Sequence, residues 1–167
     1  MRFLKNYFFI SIFFICSCSG IEFQYSNDTN LHNPIYNKTL VTFDGLEIPS
    51  LYRYSALYFG NKDGNNYVLN INIEEEKTKR AVQTNQAISK LDYELSFKYN
   101  LFDSKKSCNV YSKNIMSRFS FEPKSSGYNF GSDESLQRLY ELSTKNNMEQ
   151  FVNFIKDSKI TKCLDED

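Results

Sequence analysis

Leu91-Asp92-Tyr93-Glu94-Leu95-Ser96-Phe97-Lys98-Tyr99-Asn100-Leu101 alternates apolar and polar side chains without a break. In a strand, successive side chains point to opposite faces. Leu91, Tyr93, Leu95, Phe97, Tyr99 and Leu101 therefore share one face, and Asp92, Glu94, Ser96, Lys98 and Asn100 share the other. One face is buried and the other is wet. At ~3.3 Å per residue the segment reaches roughly 35 Å, about twice an ordinary strand, and it is the spine of a sheet.

Reading outward, Tyr67, Leu69, Ile71 and Ile73 alternate with Asn70, Asn72 and Glu74 in the same period of two. The charged segment Glu74 to Arg80 follows. On the other side, Asp103 to Ser107 supplies a turn and Val110 to Phe121 returns. Tyr111, Ile115, Phe119 and Phe121 hold one register and Val110 and Met116 the other, which predicts a bulge. Upstream, Leu40 to Phe43 is a short β-prone run closed by Asp44-Gly45. Pro49 suits the first turn of a helix ending at Phe59, with Gly60 just beyond it. Downstream, the polar loop Glu122 to Gly131 leads to Ser132 and Asp133 as N-cap candidates and a helix over Glu134 to Lys156. There Leu136, Leu139, Tyr140, Ser143, Met148, Phe151, Val152 and Ile155 form one apolar stripe. The order β-α-β-β-β-α predicts an α+β, two-layer sandwich: a mostly antiparallel four-stranded sheet with two helices on one face and the other face polar.

A chain of 167 residues is one domain by size, and 41% hydrophobic residues exclude bulk disorder. Twenty Lys plus Arg balance twenty Asp plus Glu, so no basic field exists to collect nucleic acid. The single histidine, His32, lies in a linker-like stretch before Pro34 and reads as a solvated loop residue. No HExxH, GxSxG or Gly-rich phosphate loop occurs, so neither an enzyme, a metal centre nor a cofactor is expected.

Arg2 and Lys5 precede an apolar run, Tyr7 to Ile15, which is too short to span a bilayer and reads as a secretory signal. It ends in Ile15-Cys16-Ser17-Cys18, which resembles the bacterial lipoprotein cleavage motif. Ser17 supplies the small residue before Cys18, the lipid attachment site, whereas Cys16 would follow Ile15. The expected organisation is a signal peptide over 1–17, a lipidated tether over 18–37 rich in Asn, Ser, Asp and Thr, and one domain over 38–167 with a short acidic tail. Removal of the signal leaves 18 basic against 20 acidic side chains. Ser19, rather than Asp, after the cysteine is compatible with export to the outer membrane, so the expected location is its periplasmic face. Asn27-Asp28-Thr29 and Asn37-Lys38-Thr39 match the glycosylation triplet but carry no weight after a lipoprotein start. In that oxidising compartment a disulfide between the two remaining cysteines, Cys108 and Cys163, is permitted.

Taken in order, the lipoprotein cysteine, the β-α start, the long strand Leu91 to Leu101, the hairpin to Val110-Tyr111-Ser112-Lys113, the polar Phe121 to Asn129 segment and the amphipathic final helix resemble the LptE family. These are lipoprotein subunits of the outer-membrane lipopolysaccharide translocon, and the likeness covers nearly all of the mature chain. Two features depart from the family pattern: Ile21-Glu22-Phe23-Gln24-Tyr25 matches only loosely the aromatic stretch after the lipid cysteine, and the final helix is rich in Leu, Asn and Lys rather than Ala. The resemblance implies a plug and assembly partner of the LptD β-barrel that contacts lipopolysaccharide. Lipid A phosphates need cations, and Lys79, Arg80, Lys113 and Arg118, flanking the sheet, are the candidates. Charges scattered over a solvated surface account for the same residues. Likewise the wet face suits either a barrel lumen or bulk solvent. Two rival readings are a generic outer-membrane scaffold for envelope proteins and a hydrolase using the strand-mates Asp92 and Glu94, ~7 Å apart.

Overall fold

A computed structural model describes residues 33–61, 66–82, 88–123, 130–158, 160 and 162–164. The signal, Cys18, most of the tether including Ile21 to Tyr25, His32, much of the polar loop and the acidic tail lie outside the described residues. The elements run β1 (Thr39–Gly45), α1 (Leu51–Phe59), β2 (Tyr67–Val82), β3 (Ile88–Asp103), β4 (Cys108–Phe121) and α2 (Phe130–Asp157). The sheet order is β1-β2-β3-β4. β1 and β2 are parallel, joined by the α1 crossover, and the remaining pairs are antiparallel. The expected α+β sandwich is the observed one.

Both helices cover the apolar face. Leu95, Phe97, Tyr99 and Leu101 of β3 and Leu69, Ile71 and Ile73 of β2 are buried there with Leu51, Tyr58 and Phe59 of α1 and Met148, Phe151 and Ile155 of α2. The Tyr99 and Phe151 rings stack with centroids 4.0 Å apart, and Phe59 meets Phe151 edge-on at 6.0 Å. Burial of so many large side chains is the main force holding the layers together.

Three boundaries differ from their sequence patterns. Glu74 to Arg80 is not a connecting segment: it continues β2 in register with β3, Glu76 opposite Glu94 and Thr78 opposite Asp92. Charged side chains obscure the period because beyond Ile73 the helix-covered face of β2 carries Glu75, held by Tyr140 of α2, and Lys77, held by Glu75. The final helix begins at Phe130, so Ser132 and Asp133 lie within it rather than at its N-cap. α1, by contrast, starts at Leu51, with Pro49 and Ser50 forming the turn before it. Ser50 makes no capping bond with its side chain; its carbonyl accepts from the Tyr54 N–H at 3.0 Å.

The expected bulge in β4 falls at Val110. Leu101 pairs with Tyr111 and Phe102 with Asn109, leaving Val110 as the extra residue. This parity change turns both Val110 and Tyr111 toward the helices and leaves Met116 exposed. A second irregularity leaves Arg80 unpaired between Lys79 and Ala81.

The entry and exit of the chain are fixed at one end of the sheet. Asn33 donates from Nδ2 to the Tyr58 carbonyl at 2.7 Å, and the Asn37 N–H donates to the Phe59 carbonyl at 2.8 Å. Gly60 turns the chain there at φ +88°, and a Cβ on it would meet the Asn37 side chain. At the same end a disulfide joins Cys108 to Cys163, with Cα atoms 5.7 Å apart. The Leu164 N–H donates to the Asn109 carbonyl at 2.7 Å beside it.

Candidate interaction face

The face of the sheet without helices is covered by polar ladders that run across the strands. Asn70 of β2 donates to Thr42 and Asp44 of β1. Ser112 donates to Asn100 at 2.8 Å, Ser96 to Asn114 at 2.9 Å, and Ser120 to Asp92 at 2.6 Å. Arg118 Nε donates to Glu94 Oε2 at 2.7 Å, and this ion pair raises the guanidinium pKa further. The side chains that define this face thus bond laterally to one another, so that covering the face would cost them little reorganisation.

A shallow cleft of about 470 Å³ lies over the far half of the face, walled by Glu76, Thr78, Asp92, Glu94, Arg118 and Ser120. With Asp44, Glu74 and Glu122 also on this face, carboxylates outnumber the cations Lys90, Lys98 and Arg118. The face therefore presents negative potential and many hydrogen-bonding groups. It can bind a polar, hydrated surface, and it repels phosphate. Glu94 and Asp92 share the face as expected, with Glu94 tied to Arg118 and Asp92 to Ser120.

The four candidate cations do not converge. Arg118 sits on the helix-free face, engaged by Glu94. Lys113 points the other way, half-buried, its ammonium 4.5 Å from the centroid of Phe154 in α2. Lys79 is exposed on β2 opposite Leu91, beside the bulge residue Arg80, whose side chain lies outside the described residues. Sequence pattern puts all four at strand ends because it ends β2 too early; Lys113 follows Tyr111 and precedes Ile115 by two residues each, and so shares their helix-covered side. Among the described residues no group of His, Cys, Asp and Glu is placed to hold a metal.

A second polar cluster, beneath α2, has no counterpart in the sequence reading. Asn147 is fully buried, accepts from the Tyr99 hydroxyl at 2.7 Å and donates to the Ile115 carbonyl at 3.1 Å and to Ser117 Oγ at 2.9 Å. Further along α2, the Tyr140 hydroxyl donates to Glu75, whose other oxygen holds Lys77 at 2.7 Å. Tyr140 also lies edge-on to the stacked rings of Tyr93 and Phe119. Its hydroxyl pKa is raised, by burial first and then by Glu75. An isolated Asn in an apolar stripe is the signal that could have revealed the first cluster.

No family model matches the chain, and the search of curated proteins found no match. Solved structures do share its fold. One is a Caulobacter crescentus protein assigned as a lipoprotein, 13% identical, with 72% of this chain and 88% of that one aligned at a TM-score of 0.53. Rare lipoprotein B of Shewanella oneidensis is 8% identical over 70% of this chain and 92% of its own, at 0.50. A minor lipoprotein of Acinetobacter baumannii is 12% identical over 74% and 93%, also at 0.50. These likenesses establish the architecture: the α+β sandwich is one that bacterial lipoproteins use.

Proposed function

We propose that this chain is a bacterial lipoprotein of the LptE kind, anchored through Cys18 at the periplasmic face of the outer membrane. In this reading it serves as plug and assembly partner of an LptD-like β-barrel and contacts lipopolysaccharide. The observation that carries the reading is the uncovered, laterally bonded polar face on a sandwich shared with rare lipoprotein B, which is LptE under another name. The lumen of a large outer-membrane barrel is polar and wet, so a plug needs a rigid hydrophilic surface rather than an apolar patch. The lipoprotein motif at Cys18 supports the anchor independently. Contact with lipid A phosphates falls to Lys79 and Arg80 at the far tip of β2, since the acidic face disfavours phosphate and Lys113 is engaged beneath α2.

The chain is read as a binding protein and not an enzyme. An exposed face of engaged carboxylates is ordinary for a half-wet sheet. Detergent extraction of the tagged protein from its native membrane, followed by pull-down and mass spectrometry, tests the proposal. Recovery of a large outer-membrane barrel is the expected result. Abundant, folded bait with no barrel would leave the generic envelope scaffold as the reading. Release of sugar from purified cell wall would favour the hydrolase.

A further inference from the structure

The helix-free face is not polar throughout. At the end where β1 begins, Leu40, Val68 and Phe102 stand opposite one another across three strands, Leu40 paired with Val68 and Val68 with Phe102. Leu40 is 46% exposed and Phe102 is 36% exposed. Single exposed apolar side chains are common, but a row in register across a polar face is a patch. Lys38, just before β1, and Lys105, in the β3–β4 turn, are exposed at the same end.

We propose that this end of the sheet is a bilayer-contact surface, with the Leu40, Val68 and Phe102 row resting at the headgroup level of an anionic leaflet and Lys38 and Lys105 reaching its phosphates. The inference rests on the reading of Cys18 as the lipid site. The position of the chain supplies the argument for the occupant. Asn33, the first described residue, is fastened to the Tyr58 carbonyl at this end, and it follows Cys18 by only 15 positions. Fifteen residues reach at most about 50 Å even when fully extended. This end of the molecule is therefore held within reach of the membrane, at an effective concentration in the millimolar range for short linkers. Weak contacts suffice there.

The chemistry of the patch fits such a surface. Each Lys near an anionic leaflet adds attraction, and the apolar row adds burial at the interface. Asp103, at the same end, is buried and offers its carboxylate to the N–H groups of Lys105 and Lys106 and to the Lys106 ammonium, so it adds little repulsion at the surface. The acidic tail, Asp165-Glu166-Asp167, follows Leu164 from this end and opposes the contact.

The chain has no tryptophan, so a single introduced one reports its own surroundings. The lipidated full-length protein carrying Phe102→Trp, reconstituted in vesicles of phosphatidylcholine with phosphatidylglycerol, should show quenching by acyl-brominated lipid and a blue-shifted emission. Met116→Trp, six pairs further along the same face and about 20 Å away, should show neither. Adding Lys38→Glu and Lys105→Glu to the Phe102→Trp protein should abolish the quenching at position 102. Omitting phosphatidylglycerol should do the same, and deleting residues 165–167 should strengthen it. Equal quenching at positions 102 and 116, or none at 102, overturns the proposal. Dimerisation of the soluble Cys18→Ser protein through Leu40 and Phe102 would replace the bilayer by a second copy. Mass spectrometry of the N-terminus reads the anchor separately. If Cys18 proves unlipidated, the same quenching is measured with a hexahistidine at position 18 held by nickel-chelating lipid. Pure vesicles contain no barrel, so the outcome is also separate from that of the pull-down.

Discussion

The Tyr99 hydroxyl donates to Asn147 Oδ1 at 2.7 Å between the sheet and α2, and both side chains are fully buried. Asn147 in turn donates to the Ile115 carbonyl of the edge strand β4 and to Ser117 Oγ. One side chain thus links the spine strand, the edge strand and the helix above them. Burial pushes the Tyr99 hydroxyl well above its ordinary pKa, so it stays a donor. Asn147→Leu strands the Tyr99 hydroxyl and leaves Ile115 and Ser117 without this donor, and it should cost about 2–4 kcal/mol; Tyr99→Phe removes one donor and should cost about 1–2 kcal/mol. Urea unfolding measures both. A change under about 0.5 kcal/mol for Asn147→Leu would show that the cluster does not order the layer.

This cluster also marks where the sequence stops being legible. The alternation Leu91 to Leu101 reveals β3 and its buried face because every second residue there is large and apolar. The α2 stripe is readable for the same reason at its own period. Asn147 falls on that stripe by spacing, four residues after Ser143 and four before Phe151, but helix periodicity does not tell which strand groups it binds. The far half of β2 is hidden by Glu74 to Lys79, whose partners are supplied by β3 and α2 rather than by local pattern. That Val110 and Tyr111 face the same side depends on the one extra residue in β4, and imperfect alternation announces that bulge without locating it.

Cys108 and Cys163, 55 residues apart, tie the start of β4 to the segment after α2. In the chain-entropy account, closing a loop of that length contributes about 4 kcal/mol. Cys163→Ser, or reduction, should therefore lower the urea midpoint without loss of native secondary structure. Alkylation under denaturing, non-reducing conditions should block neither cysteine. Labelling of both would reject the bond in the native protein.

Alkaline pH should destabilise the fold. Tyr58 is 2% exposed, and its burial, together with the nearby Glu149 carboxylate, pushes its hydroxyl up to about 12. Tyrosine in the unfolded chain titrates near 10, so below that pH both states are protonated and the full stability is present. As pH rises from about 10 the unfolded state loses its proton first, and stability falls until the native hydroxyl ionises near 12. Tyr99 and Tyr140, raised in the same direction, steepen the decline. The urea midpoint should hold up to about pH 10 and then drop, less steeply in Tyr58→Phe. An unchanged slope in that variant would show that Tyr58 does not contribute.

Cys18 should carry the lipid because, of the two cysteines ending the apolar run, only it follows a small residue. Palmitate labelling should disappear in Cys18→Ser, leaving an uncleaved or soluble form. Labelling retained there and lost in Cys16→Ser would move the site.

The last prediction separates a lumen-facing sheet from a solvent-facing one. Lys98 and Arg118 are cations of the helix-free face, where Lys90 is paired with Glu122 at the far end and Arg118 with Glu94 across the β3–β4 ladder. Arg118 is 70% exposed at its side chain, so in the isolated protein Lys98→Glu with Arg118→Glu should leave the urea midpoint nearly unchanged. Buried against a barrel wall, the same reversals leave like charges desolvated together, and the complex should dissociate faster, seen as loss of the barrel during washing of the pull-down. Lys113→Glu is the contrasting variant. Its side chain lies over the Phe154 ring under α2, so reversal should lower stability by about 1 kcal/mol while leaving retention of the barrel intact. Unchanged retention in the Lys98 and Arg118 double variant would place the face in solvent and assign the barrel contact to another surface.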